Sequence, residues 1–394
     1  MKPSPQLMET RQRFLPVRPV SLRERMLRDP RLSPDERQQL SQFFEMVAAR
    51  FHFEFRAKLE RLKSLYEPVD PDRDTLPIEP PPADATAPRE EMAQTFEQLL
   101  LDANYVEMPR EEIVAWAGYQ SRTGLVVEAN LSDYAELQVF YRGMRHLHRD
   151  YRSRFAPWRW QSEVVHVFSR AALLVRLADD PQGLVYLRLF KNVVAEDLEM
   201  ILPYVRIRMR LLDHMKIGSS VAGGVATASW KAFTAAILSR WVFLLLLFSF
   251  MGAFTRGVFS FFSSKTRYMQ ALTASLYFQN MANNSGALAH LVDSAEAEEC
   301  KELWLAYFIL YVERDRDFTE RQLDQRVEEW FQTEFGLDVD FEVSDAVRKL
   351  REKELLIEHP ISVAWPPVVG GVLKVTDLPA SIRRLDEVWD NYYA

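Results

Sequence analysis

The sequence predicts an α+β protein, mainly helical, in which a small β-sheet unit, a helical membrane hairpin and a C-terminal winged-helix-like domain follow one another. Three observations carry that expectation. Apolar residues return at three- and four-residue steps near both ends of the chain, period-two alternation dominates residues 171–211, and the forty-eight residues from Ile217 to Ser264 hold only three charges, all basic. The boundaries that follow are an N-terminal helical region over 1–67, a Pro-rich linker over 68–88, an α+β domain over 89–216, a membrane helical hairpin over 217–264, a helical connector over 265–313 and an acidic winged-helix-like domain over 314–394.

A chain of 394 residues with 48% hydrophobic content can bury sizeable cores. Its one cysteine, Cys300, can form neither an intrachain disulfide nor a multi-thiolate metal site, so nothing requires an oxidising compartment. The first thirty residues are polar and basic, without the apolar core of a secretory signal. The formal net charge of −7 sits entirely in the tail, where residues 314–394 carry 11 Lys and Arg against 18 Asp and Glu.

Residues 33–66 read as helix, with Ser33 or Asp35 as cap and Leu40, Phe43, Phe44, Val47, Phe51 and Phe55 on one face. Seven prolines among the twenty-one residues from Pro68 to Pro88 then exclude helix and mark a hinge. A helical stretch near 89–116 follows. The runs "AALLVRL" and "LVYLRLF" flank "ADDPQG", whose Asp179, Asp180, Pro181 and Gly183 supply turn chemistry, so 171–190 reads as a hairpin. A further strand is expected near Glu136–Tyr141 and a helix at "AEDLEMIL". In "VRIRMRL" the alternation sets Arg206, Arg208 and Arg210 side by side on one face of a strand.

The segment 217–264 is long enough for two passes, near 217–237 and 241–262, since about twenty apolar residues cross a bilayer. Small residues at Gly218, Ala222 and Ala226 would let the two helices approach closely. Basic residues outside the segment outnumber those near its turn, which places both ends, and hence both termini, on the cytoplasmic or equivalent side of a bacterial inner or mitochondrial membrane. Arg206, Arg208 and Arg210 would then lie against anionic lipid headgroups.

In the tail, Thr319 and Gln322 form a capping-box pattern ahead of a helix closing at Gly336. Ser344 is placed to cap "SDAVRKLREKELLIE", "VVGGVLKV" reads as a wing with Gly370 and Gly371 at its bend, and a last helix covers about 379–392. Arg348, Lys349, Arg351 and Lys353 would be the phosphate contacts of a DNA-binding winged helix. A domain at −7 repels a polyanion, so the expected use is protein contact and not nucleic acid.

No G-x-G-x-x-G, Walker-type loop, H-E-x-x-H or G-x-S-x-G occurs, so the sequence names no reaction and implies no cofactor. His146-x-His148-x-Asp150 would put two imidazoles on one side of a strand, but Arg142, Arg145, Arg149 and Arg152 flank them and favour a solvated surface. His290, Asp293 and Glu296 form the other metal candidate, a weak one. The competing reading makes Asp293 the N-cap and Glu296 its capping-box partner, with Asn283, Asn284 and Gly286 ending a preceding helix.

The blocks "VYLRLFKNVVAEDLEMILPYVRIRMRLLDHMKIG" and "LYFQNMANNSGALAHLVDSAEAEECKELWLAYFIL" resemble the family catalogued as domain of unknown function 3754, whose animal member, transmembrane protein 143, is associated with mitochondria. The likeness extends from "RFLPVRPVSL" into the tail. The family motif falls on Tyr277, Gln279, Asn280, Asn283, Asn284, Gly286, Leu291, Asp293 and Glu296, while Ala282 and Ser294 stand where the family pattern has acidic residues. The resemblance implies an integral membrane protein without an assigned activity. The expected function is therefore that of a membrane-anchored scaffold with the lipid bilayer and a protein as partners, the alternatives being a membrane-bound nucleic-acid-binding regulator and a metal-dependent enzyme using residues 290–296. The sequence sets no oligomeric state.

Overall fold

The computed structural model describes residues 12–75, 86–117, 125–128, 130–152, 160–195, 206–209, 277–359 and 372–390, with isolated positions between them. After a short helix α1 (Pro19–Leu27), α2 (Pro34–Tyr66) opens on the predicted capping box, Ser33 accepting from the Glu36 N–H and Glu36 from the Ser33 N–H. Its predicted stripe, from Leu40 to Phe55 and on through Leu59 and Leu62, is buried.

The helical stretch expected near 89–116 is two helices. α3 (Thr86–Asp102) ends in a turn where Asn104 adopts φ 58°, a two-residue strand β1 (Val106–Glu107) follows, and α4 (Arg110–Ala117) begins after it. Part of the Pro-rich linker lies outside the described residues. The elements on its two sides share one core, because Met92, Phe96, Leu99 and Leu100 of α3 join the buried face of α2.

The sheet is antiparallel, in the order β1, β3 (Tyr134–Arg152), β4 (Trp160–Leu177), β5 (Val185–Val194) and β7 (Asn280–Asn283). A separate two-stranded sheet pairs β2 (Leu125–Glu128) with β6 (Arg206–Met209). The predicted hairpin is the β4–β5 pair. Its turn is held by the Asp180 carboxylate, which accepts from the N–H groups of Gln182 and Leu184, and by Gly183 at φ 62°. β3 is much longer than Glu136–Tyr141, and of the helix expected at "AEDLEMIL" the described residues Ala195, Leu198 and Ile201 are 3₁₀.

The sheet packs on both faces. Phe140, Ala172, Leu174, Leu187 and Leu189 meet the helices, whereas Val139, Leu173, Val175 and Val193 pack with Ile113, Trp116, Leu198 and Ile201. Gly143 switches the alternation between these faces: Tyr141 and Met144, three residues apart, both reach the Trp116 side.

The centre of the helical layer is α5 (Asn284–Val312), buried without interruption from Glu298 to Tyr311. It stacks Tyr307 on Phe43 at 4.1 Å and sets Trp304 5.3 Å from Phe44. α5 corrects the reading of a helix boundary at residue 293: it runs straight through, and the expected helical connector contains strand β7, paired with Arg188–Phe190 of β5.

The tail contains α6 (Glu320–Phe335), α7 (Val343–Glu352), the hairpin β8 (Leu356–His359) and β9 (Val372–Val375), and α8 (Leu378–Asp390). The Thr319 capping box and the left-handed Gly336 end of α6 are present. Ser344 does not cap: α7 starts one residue earlier with Glu342 at its N-cap. The bend at Gly370 and Gly371 lies outside the described residues. Leu323, Phe331, Leu350 and Leu385 enter the same core as α2 and α5.

Among the described residues no helix is long and apolar enough to cross a membrane. Of the segment 217–264 only Phe248, Met251, Gly252 and Thr255 are described, each helical and exposed, so the expected membrane hairpin lies outside the described residues.

Candidate functional site

The family motif builds a junction between β7, β5 and α2. Asn284, the first residue of α5, is buried at φ 49°, a left-handed conformation that asparagine tolerates better than most residues. Its Oδ1 accepts from the Leu187 N–H at 3.2 Å and lies 3.1 Å from the Tyr66 hydroxyl, which donates to Val185 O at 2.7 Å; its amide nitrogen donates to Asp72. One side chain thus satisfies buried groups on the sheet, on the C-terminus of α2 and on the loop after it.

The rest of the motif divides by role. Gln279 donates to Asn192 O at 3.2 Å, Asn280 and Asn283 pair with Phe190 and Arg188, and Leu291 is core. Tyr277 is exposed and packs edge-on against Phe278 at 5.5 Å. Nothing in the fold explains Gly286, since a Cβ there would meet nothing within 4 Å.

His290, Asp293 and Glu296 do not converge. On a continuous helix positions i and i+6 point about 120° apart. Glu296 turns to His52 of α2, whose Nδ1 is 3.2 Å from both its oxygens, and Asp293 is exposed. His290 is half-buried, and burial together with the nearby charges of Arg170 and Arg142 pushes its pKa down, despite Asp293. Ser294 bonds back to His290 O instead of joining a carboxylate set.

The charges that matter for α5 lie further along, at Glu298, Glu299, Lys301 and Glu302, all buried. Lys301 donates to Leu15 O at 2.6 Å, Val17 O at 3.3 Å and Glu298 at 2.8 Å, while Glu298 accepts from the Leu15 N–H at 3.1 Å. This pair fixes the N-terminal segment on α5. Arg142 of β3 approaches Glu298 at 3.7 Å and lies over the rings of Phe14 and Tyr105.

One helical turn on, Lys349 of α7 places its ammonium 2.5 Å from Glu302, 2.7 Å from Asp345 and 2.9 Å from Glu299. These carboxylates bring three oxygens within 4.8 Å of one another, the only such metal-shaped group among the described residues. The ammonium of Lys349 already serves as its cation. Burial works against the charge of Lys349, but the three carboxylates overcome it and hold its pKa above the usual lysine range.

Glu302 also accepts from Asn104 at 2.7 Å, and Asp345 from Arg348, whereas Lys349 is the partner of Glu299 among the described residues. The surplus negative charge therefore falls on Glu299. Burial pushes its carboxyl up to about 7, with Lys349 opposing the rise and Glu302 adding to it. Lys353, in turn, is buried against Glu54 at 3.1 Å and over Phe51 at 4.2 Å. Two of the four cations that a DNA-binding reading would turn to phosphate thus face the protein interior.

Sequence reasoning missed Glu298, Glu299, Glu302 and their lysine partners. The available signal was four charges within five residues, "EECKE", leading directly into the apolar run "LWLAYFIL".

Fold and site together define an α+β protein whose motif and buried charges join helices, sheet and N-terminal segment into one body. Residues 134–286, from the start of β3 to the first turn of α5, match the family model described as "Protein of unknown function (DUF3754)". The matched region holds Asn280, Asn283 and Asn284 but stops short of Asp293 and Glu296. No solved structure matches the chain.

Proposed function

We propose that the protein is a membrane-anchored scaffold, tethered by a helical hairpin within residues 217–264 and presenting its folded body to a protein partner on one side of the bilayer. The observation that carries this reading is where the apolar segment enters and leaves. The chain departs after β6, shortly beyond Pro203, whose carbonyl accepts from Tyr134 at the start of β3, and it returns at β7, which joins the same sheet. Pro203 before the segment and β7 after it thus contact one sheet, which suits an even number of crossings.

The aromatic pair Tyr277–Phe278, exposed where the chain re-enters, suits the headgroup region. Arg206 and Arg208 occupy one face of β6 by register, Arg206 opposite Glu128, and are the headgroup contacts of this reading together with Arg210, which lies outside the described residues. We read α6, α7, the β8–β9 hairpin and α8 as a winged-helix-like unit whose second helix is turned inward as a cap on α5. The membrane is a bacterial inner or mitochondrial one, with both termini on the cytoplasmic or equivalent side.

Fractionation of cells expressing the tagged full-length chain tests the proposal. Recovery in the membrane fraction through carbonate washing and release by detergent is expected. Recovery in the soluble fraction without detergent refutes it.

A further inference from the structure

The geometry points to a binding site for a divalent transition-metal ion of the zinc class on the β3–β4 ribbon, with His146, His148 and His166 as its ligands. The chain has seven histidines, and register brings three of them to one face of two paired strands. His146 stands directly opposite His166 and His148 opposite Val164. The rings of His146 and His166 are already in contact, their centroids 4.9 Å apart.

This is the donor set that a borderline-soft cation prefers. Two imidazoles two residues apart on one strand and a third on the neighbouring strand leave one tetrahedral position open for water or an anionic ligand. Directly opposed residues hold their Cβ atoms about 5 Å apart and same-strand partners about 7 Å apart, distances that three imidazoles can bridge to a single ion. Asp150 occupies the next register position on the same face, opposite Ser162. On the inner side, His166 packs 6.4 Å from the buried Trp116, giving the site one wall of core.

The flanking arginines do not stand in the way as the linear sequence suggests. Beyond Gly143, Met144 packs on the Trp116 side, so the even-numbered positions 146, 148 and 150 share that side and the odd-numbered ones face away. Arg145 accordingly reaches Asn192, and Arg142 lies against Phe14 and Tyr105 beside Glu298. Arg152, at the end of the ribbon beyond Asp150, is the flanking cation that shares the histidine face by register.

The three imidazoles do not converge as they stand: Glu299, Glu302 and Asp345 are the only described group with three ligand atoms within 4.8 Å of one another. Closing on an ion takes rotation of the rings about their side-chain bonds, and His146 and His148 are exposed.

The test is a titration of the purified, chelator-stripped full-length protein with Co(II), followed by the visible d–d absorption of the bound ion, with Zn(II) then added to displace it. One equivalent per chain is expected. H146Q, H148Q and H166Q should each weaken binding by more than the roughly tenfold that loss of an outer-shell partner causes. H290Q should leave it unchanged. Absence of saturable Co(II) binding, or binding that survives H148Q, overturns the inference. Binding removed by D345N but not by H146Q also overturns it, since that places the ion in the carboxylate cluster. Should H166Q fail to fold, the exposed positions H146Q and H148Q decide.

Discussion

Glu299→Gln isolates the surplus charge of the Lys349 cluster. At 6% exposed, facing Lys349 at 2.9 Å with Glu302 and Asp345 sharing that ammonium, the Glu299 carboxyl titrates near about 7 against an ordinary 4.5. Its folded pKa lies above its unfolded one, so its contribution to stability is complete below the unfolded value. That contribution is lost as pH rises through 7, because the native state keeps a proton that the unfolded chain releases. At 1.36 kcal/mol per unit, the rise amounts to about 3 kcal/mol. Glutamine keeps the shape and removes the ionisation. The variant should therefore match the wild type within about 0.5 kcal/mol at pH 4 and exceed it by about 3 kcal/mol at pH 8. Urea denaturation of the purified full-length chain, followed by the fluorescence of the buried Trp304 and Trp330, measures both. A variant less stable than the wild type at pH 8, or a difference that does not change with pH, refutes the assignment of the surplus charge to Glu299.

Three further substitutions probe neighbouring features. Lys349→Met strands Glu302 and Glu299 without their cation and should cost about 3–5 kcal/mol at neutral pH, read as a lowered urea midpoint. Asn284→Ala loses the bonds to Leu187 and Asp72 and also leaves a Cβ residue at φ 49°, so a loss of about 2–4 kcal/mol is expected; Asn284→Gly, free of the backbone strain, should lose about 1 kcal/mol less by thermal unfolding. Gly143→Ala sets a Cβ 2.6 Å from the Phe14 ring at φ 66° and should destabilise by about 1–3 kcal/mol. Phe14→Ala in the same chain should restore only part of that loss, because the backbone strain remains.

What could be read from the sequence was what is decided within a few residues. The Ser33 and Thr319 capping boxes, the stripe of α2 and the Asp180 turn each involve partners two to four positions apart, and all four are where the pattern puts them. The start of α5 is different. Asp293 followed by Glu296 satisfies the local rule for a helix start, yet the helix begins nine residues earlier because β7 pairs with β5 and Asn284 bonds to Tyr66, 218 positions away. The length of β3 was hidden by Arg and His on both faces beyond Gly143, which breaks the apolar alternation without breaking the pairing. The ion pairs of α5 were equally illegible, as Glu302 and Lys349 are 47 positions apart. Local pattern identifies a buried charge as anomalous and says nothing about its partner.

The motif's position gives it a mechanical meaning. Between Met209, the last residue of β6, and Asn280, the first of β7, lies the apolar segment 217–264, and Asn280, Asn283 and Asn284 come where the described chain resumes. Each ties the returning chain to the sheet: Asn280 and Asn283 by register with β5, and Asn284 by its bonds to Leu187 and through Tyr66 to the end of α2. α5 then carries that fixed point into the centre of the helical layer, where Glu298 and Lys301 bind the N-terminal segment and Glu302 binds the tail through Lys349. A pull on that segment would load β6 at one end and β7 with α5 at the other. The family match includes that segment and ends at Gly286, just past Asn284, so the matched region comprises the segment and the asparagines that tie the chain after it to the sheet, while the ion pairs of α5 lie beyond it.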